Sequence, residues 1–197
     1  MNSQTLQGDA TRGLTPGRRA MLLTLLIFLT PVLVGGGLYV FGWRPAKSTN
    51  HGELVHPPRP VPVAALGPEI AARATGKWLL LVAGDAPCTA ECVRLIEQTR
   101  NMQVSLNRDM GRLSRIVLAA KPTEMLIALQ ARQPDLLVTV PPSAWQSALT
   151  PEMTAGHQHR LFVVDPTGNL MMQYAPGADA KGVRDDLEKL LKHSWIG

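Results

Sequence analysis

WLLLVAGDAPCTAEC, residues 78–92, sets a continuous apolar run against a short turn and two cysteines. The run Trp78–Ala83 lies between Gly76 and Gly84, and six apolar residues without alternation are the pattern of a strand covered on both faces. Gly84-Asp85-Ala86-Pro87 carries the residue types that end a strand and turn the chain. Over residues 89–107 the positions Cys92, Leu95, Ile96, Met102 and Leu106 fall at roughly helical spacing, which predicts a helix with one face on the sheet. A buried strand, a turn, and a helix that begins at the cysteines form the plan from which the rest is read.

Downstream, residues 115–120 (RIVLAA) read as a second buried strand, and residues 123–132 (TEMLIALQAR) as a helix with Thr123 at its N-cap. Strand, helix, strand, helix in this order implies parallel strands joined by crossover helices. Residues 136–140 (LLVTV) add a strand, and a short helix is expected near residues 143–149. Residues 161–164, the turn Asp165-Pro166-Thr167-Gly168 and residues 170–174 form a hairpin, with Pro and Gly where such a turn favours them. A last helix, about residues 179–193, puts Val183, Leu187, Leu190 and Leu191 on one stripe. The whole is an α/β order that resembles an elaborated thioredoxin-like fold, of the kind seen in Sco and peroxiredoxin-like proteins. In that fold the active cysteines follow the first buried strand, where Cys88 and Cys92 stand.

Upstream, residues 20–41 hold no charged side chain over 22 positions, close to the ~20 that cross a bilayer as a helix. Pro31 and Gly35 to Gly37 would weaken a soluble helix, but helices in lipid tolerate both. The run is longer than the apolar region of a cleaved signal, and no small-residue cleavage site follows it. An uncleaved anchor over residues 20–43 is therefore expected, with Tyr39, Phe41 and Trp43 at the interface. Arg12, Arg18 and Arg19 precede the span, whereas Arg44 and Lys47 follow it. This bias favours a cytoplasmic tail over residues 1–19 and a body in the periplasm, attached to a bacterial inner membrane. That compartment lets paired cysteines cycle through a disulfide. Residues 44–75, with Pro45, Pro57, Pro58, Pro60, Pro62 and Pro68, read as a semi-rigid stalk or as the first extended layer of a domain over residues 76–197. His51 and His56 are expected to be solvated there.

At 197 residues the chain has room for one globular domain and its tails. Its net charge of +5 comes from dispersed Lys and Arg, and aromatic residues make up 5%, so no basic groove with interleaved aromatics for nucleic acid is expected. Two cysteines can build neither a disulfide framework nor a four-cysteine zinc site.

The pair itself carries the chemistry. Cys88 falls at or before a helix N-terminus and Cys92 a turn inside, so both sulfurs should face one way and stand exposed at the helix start. Free amides and the positive end of the helix dipole favour a thiolate there. This spacing puts the two Cα atoms roughly 6 Å apart, within disulfide range. Two thiolates so placed can instead share one soft ion, Cu(I) in particular. The bland alternative is a pair of small buried residues that share one helix face. His157 or His159, on the loop before residues 161–164, could add an imidazole opposite the first cysteine. Of Met171 and Met172, one is expected in the core and the other outside. His193 is expected to be solvated.

These residues resemble the Sco (SenC) family of membrane-anchored cytochrome c oxidase assembly proteins. The resemblance runs from the anchor to the last helix and rests on Gly76-Lys77, Cys88 and Cys92, and Asp165-Pro166-Thr167-Gly168. Counting back eight residues from that turn gives His157, which the resemblance implies as the histidine ligand of copper beside Cys88 and Cys92. It further implies a copper chaperone rather than a turnover enzyme, whose partner is oxidase subunit II or another assembly factor. The chain departs from the family at Val93, where a proline is usual, and at Ala119-Ala120-Lys121-Pro122, where an Asp-Pro-x-x-Asp-Thr stretch is usual. A metal-independent thiol-disulfide oxidoreductase and a non-catalytic membrane assembly protein are the competing functions.

Overall fold

The computed structural model describes residues 15–42, 50–153 and 158–196. The polar tail ahead of Thr15, together with Arg12, Trp43, Arg44, Lys47 and His157, lies outside them. The chain divides into two compact units, residues 1–48 and 49–197.

In the first unit, α1 (Pro16–Val40) runs for 25 residues. It begins four residues ahead of the apolar run, because Pro16 suits the first turn of a helix and Arg18 and Arg19 extend it. At 1.5 Å per residue it is about 37 Å long, against a hydrocarbon core of about 30 Å. None of its residues is buried, and its most apolar window has a mean hydropathy of 2.2. Thr24 and Thr30 donate their hydroxyls to Ala20 O and Leu26 O one turn back, so neither presents an unpaired donor. The helix is long and apolar enough to cross a membrane.

The second unit is built on one six-stranded sheet. Its strands are β1 (Glu53–Pro60), β2 (Trp78–Ala83), β3 (Leu113–Leu118), β4 (Leu137–Thr139), β5 (Arg160–Val164) and β6 (Asn169–Tyr174), in the order β1-β6-β5-β2-β3-β4. β2, β3 and β4 are parallel, whereas β5, β6 and β1 add on antiparallel. The helices are α2 (Pro68–Ala74), α3 (Ala90–Ser105), α4 (Glu124–Arg132), α5 (Ser143–Met153) and α6 (Ala180–His193). Every residue of β2 is buried because the sheet has a core on each face. Leu80 and Val82 join Ile96 of α3, Leu126 of α4 and Leu187 of α6, while Leu79 and Leu81 join Trp145 of α5, Leu66 and Phe162.

Of the two readings of the Pro-rich segment, the extended layer is the one built, and the domain takes in residues well ahead of Gly76. β1 pairs with β6 at the edge of the sheet through Glu53, Leu54, Arg59 and Pro60. The register breaks between Leu54 and Arg59, the interval that holds Pro57 and Pro58, so these two prolines, which cannot donate, fall where the ladder is interrupted, while Pro60 sits at the strand end. His51 is not simply solvated: its backbone N–H donates to Asp186 Oδ2 at 2.8 Å, and its Nδ1 lies 3.3 Å from Oδ1. β3 starts two residues earlier than expected, taking in Leu113 and Ser114, and the Arg115 within it is buried. α4 begins after Thr123, whose Oγ1 accepts from Leu126 N–H at 3.4 Å.

Candidate metal and redox site

β2 ends at Ala83, and α3 starts at Ala90 with Thr89 as an extended N-cap. Cys88 precedes that cap and Cys92 sits in the first turn, so the two side chains meet over the helix start. They are joined as a disulfide with a Cα–Cα separation of 5.2 Å. The expected exposure of the sulfurs is corrected: Cys88 is 3% and Cys92 2% exposed. Both belong to the core layer that contains Leu80, Val82 and Leu126, because α3 packs this face directly on the sheet. Cys92 and His159 line a cavity of about 320 Å³ together with Glu91, Arg94, Gln98 and Pro176.

Three neighbours fix the geometry. Thr123 Oγ1 donates to the Cys88 carbonyl at 3.2 Å while capping α4, which ties the cysteine loop to a second helix. β5 pairs with β2 up to Ala83 opposite Arg160, which brings His159 to the position facing Gly84. A Cβ on Gly84 would lie 3.1 Å from Cα, Cγ and Cδ2 of His159, so glycine is what lets the histidine lie against the strand end.

Cys88, Cys92 and His159 each offer one ligand atom, and these atoms lie within 4.8 Å of one another. Nε2 of His159 is buried without a hydrogen-bond partner among the described residues, an orphaned lone pair or proton of the kind a metal ligand leaves when unengaged. Burial lowers the His159 pKa below its ordinary value, and the nearby carboxylates of Asp85 and Glu91 oppose the shift without reversing it. The ring is therefore neutral at pH 7, the form that ligates. Two sulfurs and one imidazole fit a soft monovalent ion once the disulfide is reduced. The bridged form cannot supply two thiolates, so the pair binds a metal only after two electrons and two protons have reduced it.

The other sulfurs and histidines lie elsewhere. Met172 is buried, with its Sδ accepting from Tyr174 O–H at 2.9 Å, and Met171 is half-buried beside it. His193 is exposed near the end of α6. The resemblance selected His157, which lies outside the described residues, whereas the histidine found at the sulfurs is His159. Its signal in the sequence was its place directly before a strand that pairs with β2. The parts played by Gly84 and Thr123 had none beyond their residue types.

A sheet of this topology, with a cysteine pair at the start of the helix that follows a central strand, defines a thioredoxin-like domain. Residues 78–194 match the family described as transmembrane-like, thioredoxin-like, C-terminal domain, and the chain belongs to that family. No curated protein matches the chain in sequence. Among solved structures it is similar to copper-bound yeast Sco1, with a TM-score of 0.50 and 16% identity over 61% of this chain and 82% of that one. It is also similar to copper-bound ScoI of Arabidopsis thaliana, with a TM-score of 0.48 and 15% identity over 62% and 89%. A third is BsSco, a member of the Sco family of cytochrome c oxidase assembly proteins, with a TM-score of 0.43 and 14% identity over 61% and 84%. The likeness is one of fold.

Proposed function

We propose that the chain is a membrane-tethered assembly factor for cytochrome c oxidase, holding its thioredoxin-like domain on the periplasmic side of a bacterial inner membrane. Its reduced cysteine pair takes up Cu(I) as cargo for oxidase subunit II, or keeps the thiols of that partner reduced. The observation that carries this is the meeting of Cys88, Cys92 and His159 within 4.8 Å. In this reading Cys88 and Cys92 supply the two thiolates. His159 supplies the nitrogen, with His157, which the family resemblance implies, as the competing donor. Burial of both cysteines keeps water from the sulfurs, and the cavity beside Cys92 and His159 leaves a path for a partner.

The disulfide supports thiol exchange as a second reading. The Cys88 thiolate attacks a partner disulfide, forming a mixed disulfide and releasing one partner thiolate. The Cys92 thiolate then attacks Cys88 Sγ and displaces the second. Two electrons pass to the partner, which leaves as a dithiol after taking up two protons, and the domain returns to the bridged form. A dithiol donor must then restore the pair.

Titration of the reduced full chain with Cu(I) against a competing chelator separates the readings. One equivalent is expected to bind, to be lost in Cys88→Ser, and to be weakened in His159→Ala and unchanged in His157→Ala. Binding that ignores Cys88→Ser contradicts the cargo reading. If the chain takes up no copper yet has a defined reduction potential that is insensitive to His159→Ala, the exchange reading stands alone.

A further inference from the structure

We infer that the segment Ser194 to Ile196, with the basic side chains around it, seats on the surface of the anionic bilayer that α1 enters. Trp195 is completely exposed at 101%, and Ile196 is 57% exposed. Residues past the last helix would ordinarily fray. Here the mostly buried Arg112 holds them, donating from Nη1 to Leu191 O at 3.0 Å and from Nη2 to Ser194 O at 2.8 Å and Ile196 O at 3.0 Å. Ser194 Oγ also accepts from Ile196 N–H at 3.3 Å. The protein thus fixes the backbone on both sides of an indole that it leaves in water.

The charge around the indole suits lipid headgroups. Arg108 and Lys192 line the same hollow as Trp195, and Lys189 stands one turn back on α6. The acids there are Asp109, which pairs with Arg112, and Glu188, which pairs with Arg184. A tryptophan with an apolar neighbour, ringed by Lys and Arg, is the composition that lies at a membrane–water interface.

Chain length points to the same occupant. The domain is entered at Asn50, which shares a cavity wall with His193 and Ser194, so the incoming chain and the Trp195 segment are on one side of the domain. From Val40, the end of α1, to Asn50 is ten residues. At most about 35 Å of chain therefore joins the two. The inference rests on α1 crossing the bilayer.

The test uses the full chain carrying Trp43→Phe, since Trp78 and Trp145 are buried and Trp195 is then the exposed indole. It is reconstituted in phosphatidylcholine–phosphatidylglycerol vesicles with or without acyl chains brominated near the headgroup. The expected result is loss of Trp195 emission in the brominated vesicles, absent when Trp195→Phe is added. The loss should be smaller in phosphatidylcholine alone and in Arg108→Glu with Lys192→Glu. Flotation with the vesicles is scored in every sample. Equal emission in both lipids from a chain that floats overturns the inference and leaves α1 as an anchor. A chain that does not float defeats the reading of α1 and this inference with it.

Discussion

A methyl group added at Gly84 would stand 3.1 Å from three atoms of His159, and relief requires the histidine to move away from the strand end. Gly84→Ala is therefore expected to weaken Cu(I) binding about tenfold with both cysteines intact, as loss of a ligand-orienting contact does; a competition titration reads it. Arg115 makes a different kind of demand. It is 1% exposed and donates to Gln103, Thr99, Gln133 and Asp135. Burial alone would raise the Asp135 pKa, but the bond and charge of Arg115 outweigh it and hold that carboxyl below its usual value. Asp135→Ala leaves a buried guanidinium short of its counter-charge and should cost about 2–3 kcal/mol, less than a fully buried pair because Asp135 is half exposed. Asp109→Ala, at a more exposed pair, should cost about 0–1 kcal/mol. Urea unfolding of the detergent-solubilised chain compares the two. The cysteine pair was legible in the sequence because a C-x3-C after a buried strand leaves few other readings. Burial of the sulfurs was not, since helical spacing gives the face of a residue but not what covers it.

At the scale of elements, the hairpin of β5 and β6 turns on one carboxylate. Asp165 accepts from Thr167 N–H and O–H and from Asn169 N–H and Nδ2. Burial would raise its pKa, yet these bonds together hold it below the ordinary 3.8. A depressed carboxyl stabilises the fold at pH values above the unfolded pKa, and the contribution fades as pH falls through the lower folded value. Asp165→Ala should cost about 1–2 kcal/mol at neutral pH, and the gap from wild type should narrow below about pH 4 in unfolding curves taken across that range. This turn, β2, α4 and α6 could be read directly, because period, cap residues and Pro-x-Gly chemistry all agreed there. β1 escaped a single reading because prolines usually exclude a strand, and only the register break shows how an edge accommodates them. β3 begins two residues ahead of the expected strand because the polar Ser114 separates Leu113 from the run that follows.

Across the whole second unit, Asp186 joins its two ends. It is buried on α6 and accepts from His51 N–H, Gly52 N–H and Tyr174 O–H. Burial first, and then the Asp186 charge, keep Tyr174 protonated throughout the physiological range. Gly182 has no side chain because His51 occupies that space. Asp186→Ala should release the start of the domain while leaving the cysteine site intact. Faster proteolytic cleavage near residues 50–60, with Cu(I) affinity unchanged, is the expected pair of results. No sequence pattern announced this closure, which depends on residues 135 positions apart. The same distance from local pattern applies to the site, where a helix start, a strand end and a second helix cap converge on two sulfurs and one nitrogen. X-ray absorption at the copper edge of the reduced, Cu(I)-loaded full chain tests that convergence most directly. Two sulfur neighbours and one imidazole nitrogen are expected, with the nitrogen lost in His159→Ala; a spectrum unchanged by that substitution would contradict the account.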